Sequence, residues 1–175
     1  MQDLRYPIGE FSFSDAISSS QIEESIRDIE AAPEKLRAAV AGLNDEQLDT
    51  PYRPEGWTVR QVVHHMVDSH IGSYVRFKWA LTEDTPMIKT YDEKTWAELK
   101  EARTGPIDMS LLILEALHTR LVVMLKNLSE TDLQRSFIHP EFNRQIRLDQ
   151  NISLYAWHGK HHAAHITELR KRKDW

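Results

Sequence analysis

Apolar side chains recur with the 3.6-residue period of an α-helix along most of the chain. Together with start and stop signals, this pattern predicts four long helices, at about residues 20–42, 58–82, 110–127 and 148–171. Capping boxes, in Ser20-Gln-Ile-Glu23 and Thr58-Val-Arg-Gln61, mark the predicted starts of the first two. Pro33 lies inside the first helix, and a kink or a break is predicted there because proline has no backbone N–H.

The connections between these helices are polar and carry turn signals. Short capped turns are predicted at residues 44–48 and 129–133, and a loop or small hairpin at residues 137–147. Residues 83–110 form a long crossover with a short helix at about 92–103, and residues 1–18 form an N-terminal arm. The prediction is an all-α single domain over residues 1–175. Its fold would be a four-helix bundle with a long crossover between the second and third helices.

Composition excludes several classes of function. The net charge is −5 and there is no basic block, which disfavours nucleic-acid binding. The chain has no cysteine, so disulfides, thiolate metal ligands and a cysteine nucleophile are excluded. No apolar run approaches the roughly 20 residues of a membrane span, and the N-terminus does not look like a secretory signal. We therefore expect no membrane partner and a cytoplasmic protein.

The last predicted helix carries four closely spaced histidines. They are His158, His161, His162 and His165. His161 and His165 are four residues apart and project onto the apolar side of the helix, with His158 beside them and His162 toward its edge. An unpaired polar group there costs a few kcal/mol, and a metal ion that accepts both imidazole nitrogens would remove that cost. The alternative is that these are core or surface histidines hydrogen-bonded to their neighbours.

A third ligand would come from the second predicted helix. Helical periodicity places His70 near the centre of its apolar stripe and His65 to one side, whereas His64 points to the opposite side and is predicted to be solvated. His118 and His139 are interpreted as ordinary polar residues.

Other side chains could support such a site. Asp68 lies one turn beyond His65 and could orient an imidazole, and Tyr91 in the crossover could close over a pocket. His158 and His70, where they are not ligands themselves, are further candidates for this supporting role.

Several segments of the chain resemble the DinB/YfiT-like family of small helical metalloproteins. The matching segments are Tyr6–Glu10, Leu48–Arg53, Gly56–His65, Asp68–His70, Thr85–Pro86, Tyr91–Glu93, Trp157–His158 and His161–His165. The resemblance covers nearly the full length and is to the YfiT branch. It implies a four-helix bundle, a homodimer and one divalent metal ion per chain, zinc or nickel. The implied metal ligands are His65, chosen over His70 because of its position in the motif, and the pair His161 and His165.

The resemblance implies a metal-dependent hydrolase in which the ion activates water for attack on a small-molecule substrate. One alternative is a metal-dependent S-transferase that uses a low-molecular-weight thiol of the bacillithiol type, which must arrive as a cosubstrate because the chain has no cysteine. Another is a non-catalytic, metal-stabilised bundle that binds a ligand. Since unperturbed imidazoles have a pKa of about 6.5, the sequence alone predicts that the metal is lost below a pH of about 6.

Overall fold

The computed structural model describes residues 3–175. Over these residues the chain forms eight helices and one hairpin. In chain order they are α1 (Ser19–Val40), α2 (Asp45–Leu48), α3 (Val59–Thr82), α4 (Glu93–Ala97), α5 (Lys100–Thr104), α6 (Ile107–Leu125), α7 (Glu130–Gln134), β1 (Ser136–His139), β2 (Arg144–Arg147) and α8 (Leu148–Lys173).

The four long helices α1, α3, α6 and α8 form the bundle. Helix α1 packs mainly against α8, and α3 packs against α6, while contacts between α1 and α6 and between α3 and α8 close the arrangement. The predicted all-α bundle with a long crossover is therefore confirmed. The crossover holds two short helices, α4 and α5, where the sequence predicted one. None of the helices described here is long and apolar enough to cross a membrane.

The local signals were partly correct. The Thr58–Gln61 capping box starts α3 as predicted, but the box that starts α1 uses Ser18 and Gln21. Helix α1 continues through Pro33, so the predicted break is absent. Pro33 has no N–H to donate to the carbonyl oxygen of Ile29, one turn earlier. That oxygen accepts a hydrogen bond from a side chain on another helix instead, as described below.

Two apolar clusters fill the bundle, and a polar layer separates them. One cluster contains Leu36, Val62, Leu114 and Ile166, among others. The other contains Ile29, Phe77, Leu121 and Ile152, together with residues of the hairpin. Between the two clusters, α3, α6 and α8 bury histidines. The polar groups of this layer need partners from one another or from a ligand, because water is excluded from the core.

The N-terminal arm packs along α8 of its own chain. The indole N–H of Trp157 donates to the carbonyl of Gly9 at 3.2 Å, and the ring of Phe11 lies 5.8 Å from that of Trp157. Further along α8, Nε2 of His165 donates to the carbonyl of Arg5 at 3.0 Å. The arm thus covers one side of the histidine run.

Candidate metal centre

Three histidines from two helices converge in the polar layer. Ring nitrogens of His65 on α3 and of His158 and His162 on α8 all lie within 4.8 Å of one another. The ring centroids are 4.5 Å apart for His158 and His162, 4.8 Å for His65 and His162, and 5.4 Å for His65 and His158. All three side chains line a cavity of about 570 Å³. A fourth ligand position could therefore face that cavity, as in catalytic rather than structural zinc sites.

A second group of histidines shares one member with the first. Ring nitrogens of His161, His162 and His165 also lie within 4.8 Å of one another. The set that the resemblance implied, His65 with His161 and His165, is neither of the two groups found among residues 3–175. The structure brings His65 to His158 and His162, so His161 and His165 meet at a different point on the same helix.

His158 is also the end of a series of hydrogen-bonded histidines. Nδ1 of His158 lies 3.1 Å from Nε2 of His70, and Nδ1 of His70 lies 2.8 Å from Nε2 of His118. Nδ1 of His118 lies 2.6 Å from the carbonyl oxygen of Ile29, the oxygen opposite Pro33. His118 was predicted to be an ordinary polar residue, but it is buried and links α1 to α3 through this histidine series.

The carbonyl at the end of this series determines where each proton lies. A carbonyl oxygen can only accept, so Nδ1 of His118 must carry the hydrogen, and in a neutral ring Nε2 is then an acceptor. The same reasoning places a hydrogen on Nδ1 of His70 and then on Nδ1 of His158. Nε2 of His158 is consequently unprotonated, with its lone pair free for a metal ion.

The protonation state of the other imidazoles also suits a cation. Burial lowers the pKa of His65 to about 4, and repulsion from His165 contributes. Burial, followed by the same mutual repulsion, holds the pKa values of His158 and His162 well below their usual range. These rings are neutral at pH 7, which is the form that binds metal. Nδ1 of His162 is buried and has no hydrogen-bond partner among the described residues, and the same holds for Nδ1 of His161 and of His165. Unsatisfied nitrogens in this part of α8 fit a divalent ion but do not choose between the two groups.

The remaining histidines of α3 have other roles. His70 is fully buried, as its periodicity predicted, but both of its ring nitrogens are engaged by His118 and His158. His64 was predicted to be solvated, and this is wrong. It is buried, with Nδ1 2.8 Å from Oγ of Ser110 and Nε2 3.3 Å from the carbonyl of Gly105. The crossover covers the side of α3 that a lone helix would expose.

The two other candidate supporting residues form no hydrogen bond to the three imidazoles in the described structure. Asp68 forms no hydrogen bond to an imidazole in the described part of the chain, and partial burial raises its pKa to about 6. Tyr91 lines a second cavity, of about 700 Å³, that reaches His158. Burial raises the pKa of the Tyr91 hydroxyl, which is therefore neutral and able to donate at pH 7.

Comparison with known proteins places this geometry in a family. Residues 28–166 match the DinB superfamily. A protein of Oceanobacillus iheyensis named "Putative metal-dependent hydrolase" is 55% identical over 171 residues, which are 98% of each chain. A protein of Bacillus cereus strain 03BB102 with the same name is 54% identical over 175 residues, the full length of both chains.

A solved structure shares the whole fold. YfiT from Bacillus subtilis, described as "a probable metal-dependent hydrolase with an unusual four-helix bundle topology", superposes with a TM-score of 0.96. It is 49% identical to this chain, and the match covers 98% of both proteins. Identity at this level over the full length shows that the two proteins share the bundle architecture.

Proposed function

The chain belongs to the DinB superfamily, and from this membership we propose that it is a metal-dependent hydrolase of small molecules. One divalent ion per chain, zinc or nickel, would be held by His65, His158 and His162. The observation that carries the proposal is the convergence of these three neutral imidazoles beside an open cavity. Three imidazoles suit both metals, and their affinities alone do not choose between them.

Two facts favour this set of ligands over the one that the resemblance implied. His65 is grouped with His158 and His162 and with neither His161 nor His165. The histidine series leaves the Nε2 lone pair of His158 free. In contrast, Nε2 of His165 donates to the carbonyl of Arg5, which leaves only its buried Nδ1 for a ligand. The set His65, His161 and His165 remains the alternative, and substitution can separate the two.

An ion held by His65, His158 and His162 would supply Lewis-acid chemistry, which lowers the pKa of a coordinated water toward neutrality. Neighbouring side chains of the protein hold the ligand imidazoles in place. His65 is held against Trp57, with ring centroids 4.6 Å apart, and His158 is held by His70. Imidazoles fixed in this way lose little freedom when they bind, which favours tight and well-oriented coordination.

A first test concerns metal-dependent turnover. Hydrolysis of simple esters or amides is expected to stop after chelation and to return with zinc or nickel, because the ion activates the attacking water. The measurement is a panel of chromogenic substrates, run beside a second panel that pairs a low-molecular-weight thiol with an electrophile. Hydrolysis that survives complete chelation would contradict the proposal, and turnover only in the thiol panel would favour the transferase alternative.

A second test concerns the histidine series. In ¹⁵N-labelled metal-free protein, His158 is expected to carry its proton on Nδ1. His118→Phe should abolish this preference and weaken metal binding by about 10–100-fold, the range typical for residues that orient a ligand. Two-dimensional NMR of the ring nitrogens and metal titration give the two readouts.

The matched control is His139→Phe, which removes a buried histidine outside the series. It should leave the His158 tautomer and the metal affinity unchanged. A proton found on Nε2 of His158 in the unsubstituted protein would show that the carbonyl of Ile29 does not set the tautomers.

We also propose that the chain forms the homodimer implied by the family resemblance. Apolar side chains are exposed on the outer side of α6, including Met109, Leu112 and Val123. A second copy packed against this helix would remove them from water.

A further inference from the structure

The 700 Å³ cavity lies directly beside the proposed metal centre. His158 and Trp157 line both this cavity and the smaller one that contains the three imidazoles. Its other lining side chains include Ser69, Arg76 and Tyr155. A molecule in the larger cavity would therefore reach the centre on its His158 side.

Arg76 is the unusual member of the cavity wall. Its side chain is buried, with 8% of the residue exposed, yet its one hydrogen bond within residues 3–175 is a long one, 3.4 Å, to the hydroxyl of Tyr155. No carboxylate of the described chain forms an ion pair with it. A guanidinium carries five N–H donors and keeps its charge at every physiological pH. Most of its donors therefore have no acceptor within the described protein. None of its nitrogens is among the fully buried atoms that lack a partner, so the free donors are open to the cavity and to a ligand in it.

A second buried arginine shows what full pairing looks like in this protein. Arg60 is 4% exposed and donates to Asp49 at 2.7 Å, to Asp45 at 2.8 Å and to the carbonyl of Gly105 at 3.0 Å. The fold thus pairs one buried guanidinium with two carboxylates and a carbonyl of its own. It leaves the other, beside the proposed centre, almost without acceptors.

Other polar groups at Arg76 can also serve an anion. The hydroxyl of Tyr155 accepts from Arg76 and from Ser69, each at 3.4 Å, so its own hydrogen is free to donate. Nδ1 of His139, a residue first interpreted as ordinary and polar, is buried without a partner in the described structure. Three carboxylates, Asp92, Glu93 and Glu141, also line this cavity, but all three are exposed and none pairs with Arg76.

We propose that Arg76 binds an oxyanion of the substrate, a carboxylate or a phosphate group, and that the remainder of the substrate extends from this group toward His158. The planar fork of a guanidinium matches two oxygens of either group. Placing the reacting bond near His158 rests on the proposed function. The binding of an oxyanion by Arg76 does not depend on it. The substrate class of the hydrolase would then be small anionic esters or amides rather than neutral ones.

Calorimetric titration with succinate, inorganic phosphate and the neutral analogue succinamide tests the binding step. The protein is used as purified and again after chelation, because a bound ion could itself attract an anion. We expect succinate or phosphate to bind in both states and succinamide to bind in neither. Arg76→Met should weaken the anion by about tenfold or more, the effect of losing hydrogen bonds to a charged group. Binding of succinate but not phosphate would identify a carboxylate site, and binding of phosphate but not succinate would identify a phosphate site.

Lys94→Met is the matched control, because Lys94 is an exposed cation that lines the same cavity. It should change anion affinity by less than about twofold, as expected for a screened surface charge. Equal losses in the two variants, no anion binding in either state, or binding that disappears with the metal would each overturn the proposal. None of these outcomes depends on hydrolysis, so they leave the proposed function to its own test.

The melting temperature of Arg76 variants distinguishes a ligand-binding role from a structural role for this residue. Without an anion, Arg76→Met should not lower the melting temperature, because Arg76 has no ion pair and only one long hydrogen bond to lose. A lower melting temperature would mean that the arginine supports the fold rather than a ligand. Arg76→Lys keeps the charge but removes the two-pronged geometry, so it should fold normally and still bind the anion about tenfold more weakly.

Discussion

Alanine at His158 or His162 is expected to abolish stoichiometric metal binding, whereas alanine at His161 or His165 should leave about one ion per chain. Each of the first two removes one of three imidazoles that meet at one point. The loss of metal affinity should exceed the 10–100-fold loss that is typical when a residue only orients a ligand. His65→Ala should behave like the first pair, because its ring provides the contact from α3. Elemental analysis after dialysis against trace metal gives the ion content directly.

The four substitutions on α8 are matched to one another. All four change histidine to alanine within eight residues of the same helix, so differences in helix propensity cancel. The opposite pattern, with metal lost at His161 and His165 and kept at His158 and His162, would restore the ligand set implied by the family resemblance. Loss in all four variants would indicate that the two histidine groups act as one unit.

A second large effect is expected as the pH falls from 7 to 4 in metal-free protein. Burial lowers the pKa of His65 and of His165 to about 4 and that of His161 to about 3, whereas the unfolded chain titrates near 6.5. Below 6.5 the unfolded state binds more protons than the folded state, so the free energy of unfolding decreases as the pH falls. His65 alone should account for about 3 kcal/mol between pH 7 and 4.

Urea denaturation at several pH values measures this slope. Because asparagine does not titrate, His65→Asn should reduce the pH dependence of the free energy of unfolding by the contribution of His65. A free energy of unfolding that stays constant between pH 6.5 and 4 would show that these imidazoles have the same pKa values in the folded and unfolded protein. The bound metal adds its own stabilisation, about 3–4 kcal/mol when its concentration is 100–1,000 times the dissociation constant.

The same pKa values revise the expected loss of metal. Unperturbed imidazoles predicted release of the metal below a pH of about 6. In the folded protein, protons compete with the metal only near the lowered pKa of His65, about 4. The metal should therefore be retained at pH 5.5, and the metal-free protein should have an acid-sensitive stability of its own. Elemental analysis after dialysis at pH 5.5 tests the first of these statements.

Helical periodicity was sufficient to predict the bundle. The four long helices, the long crossover and the capping box at Thr58 all follow from local patterns of apolar and capping residues. His64 shows the limit of such reasoning. Its projection away from the stripe of α3 was correct for an isolated helix, but the chain near Gly105 and Ser110 folds back over that side and buries it.

The histidine contacts depend on how the helices pack. The run from residue 158 to 165 contains two overlapping pairs at a spacing of four, His158 with His162 and His161 with His165. Both pairs satisfy the same local rule, and only the rotation of α8 against α3 decides which pair meets His65. The series from His118 to His158 likewise requires contacts among α1, α3, α6 and α8, which no single-helix pattern records.

Pro33 has a consequence for protein engineering. Stability-guided design would replace a proline in the middle of α1 early, since alanine adds a backbone donor and is a better helix former. The restored N–H would, however, point at the carbonyl of Ile29, to which His118 donates. Thermostabilised versions of this bundle should therefore keep residue 33 fixed, although it lies on a different helix from every proposed ligand.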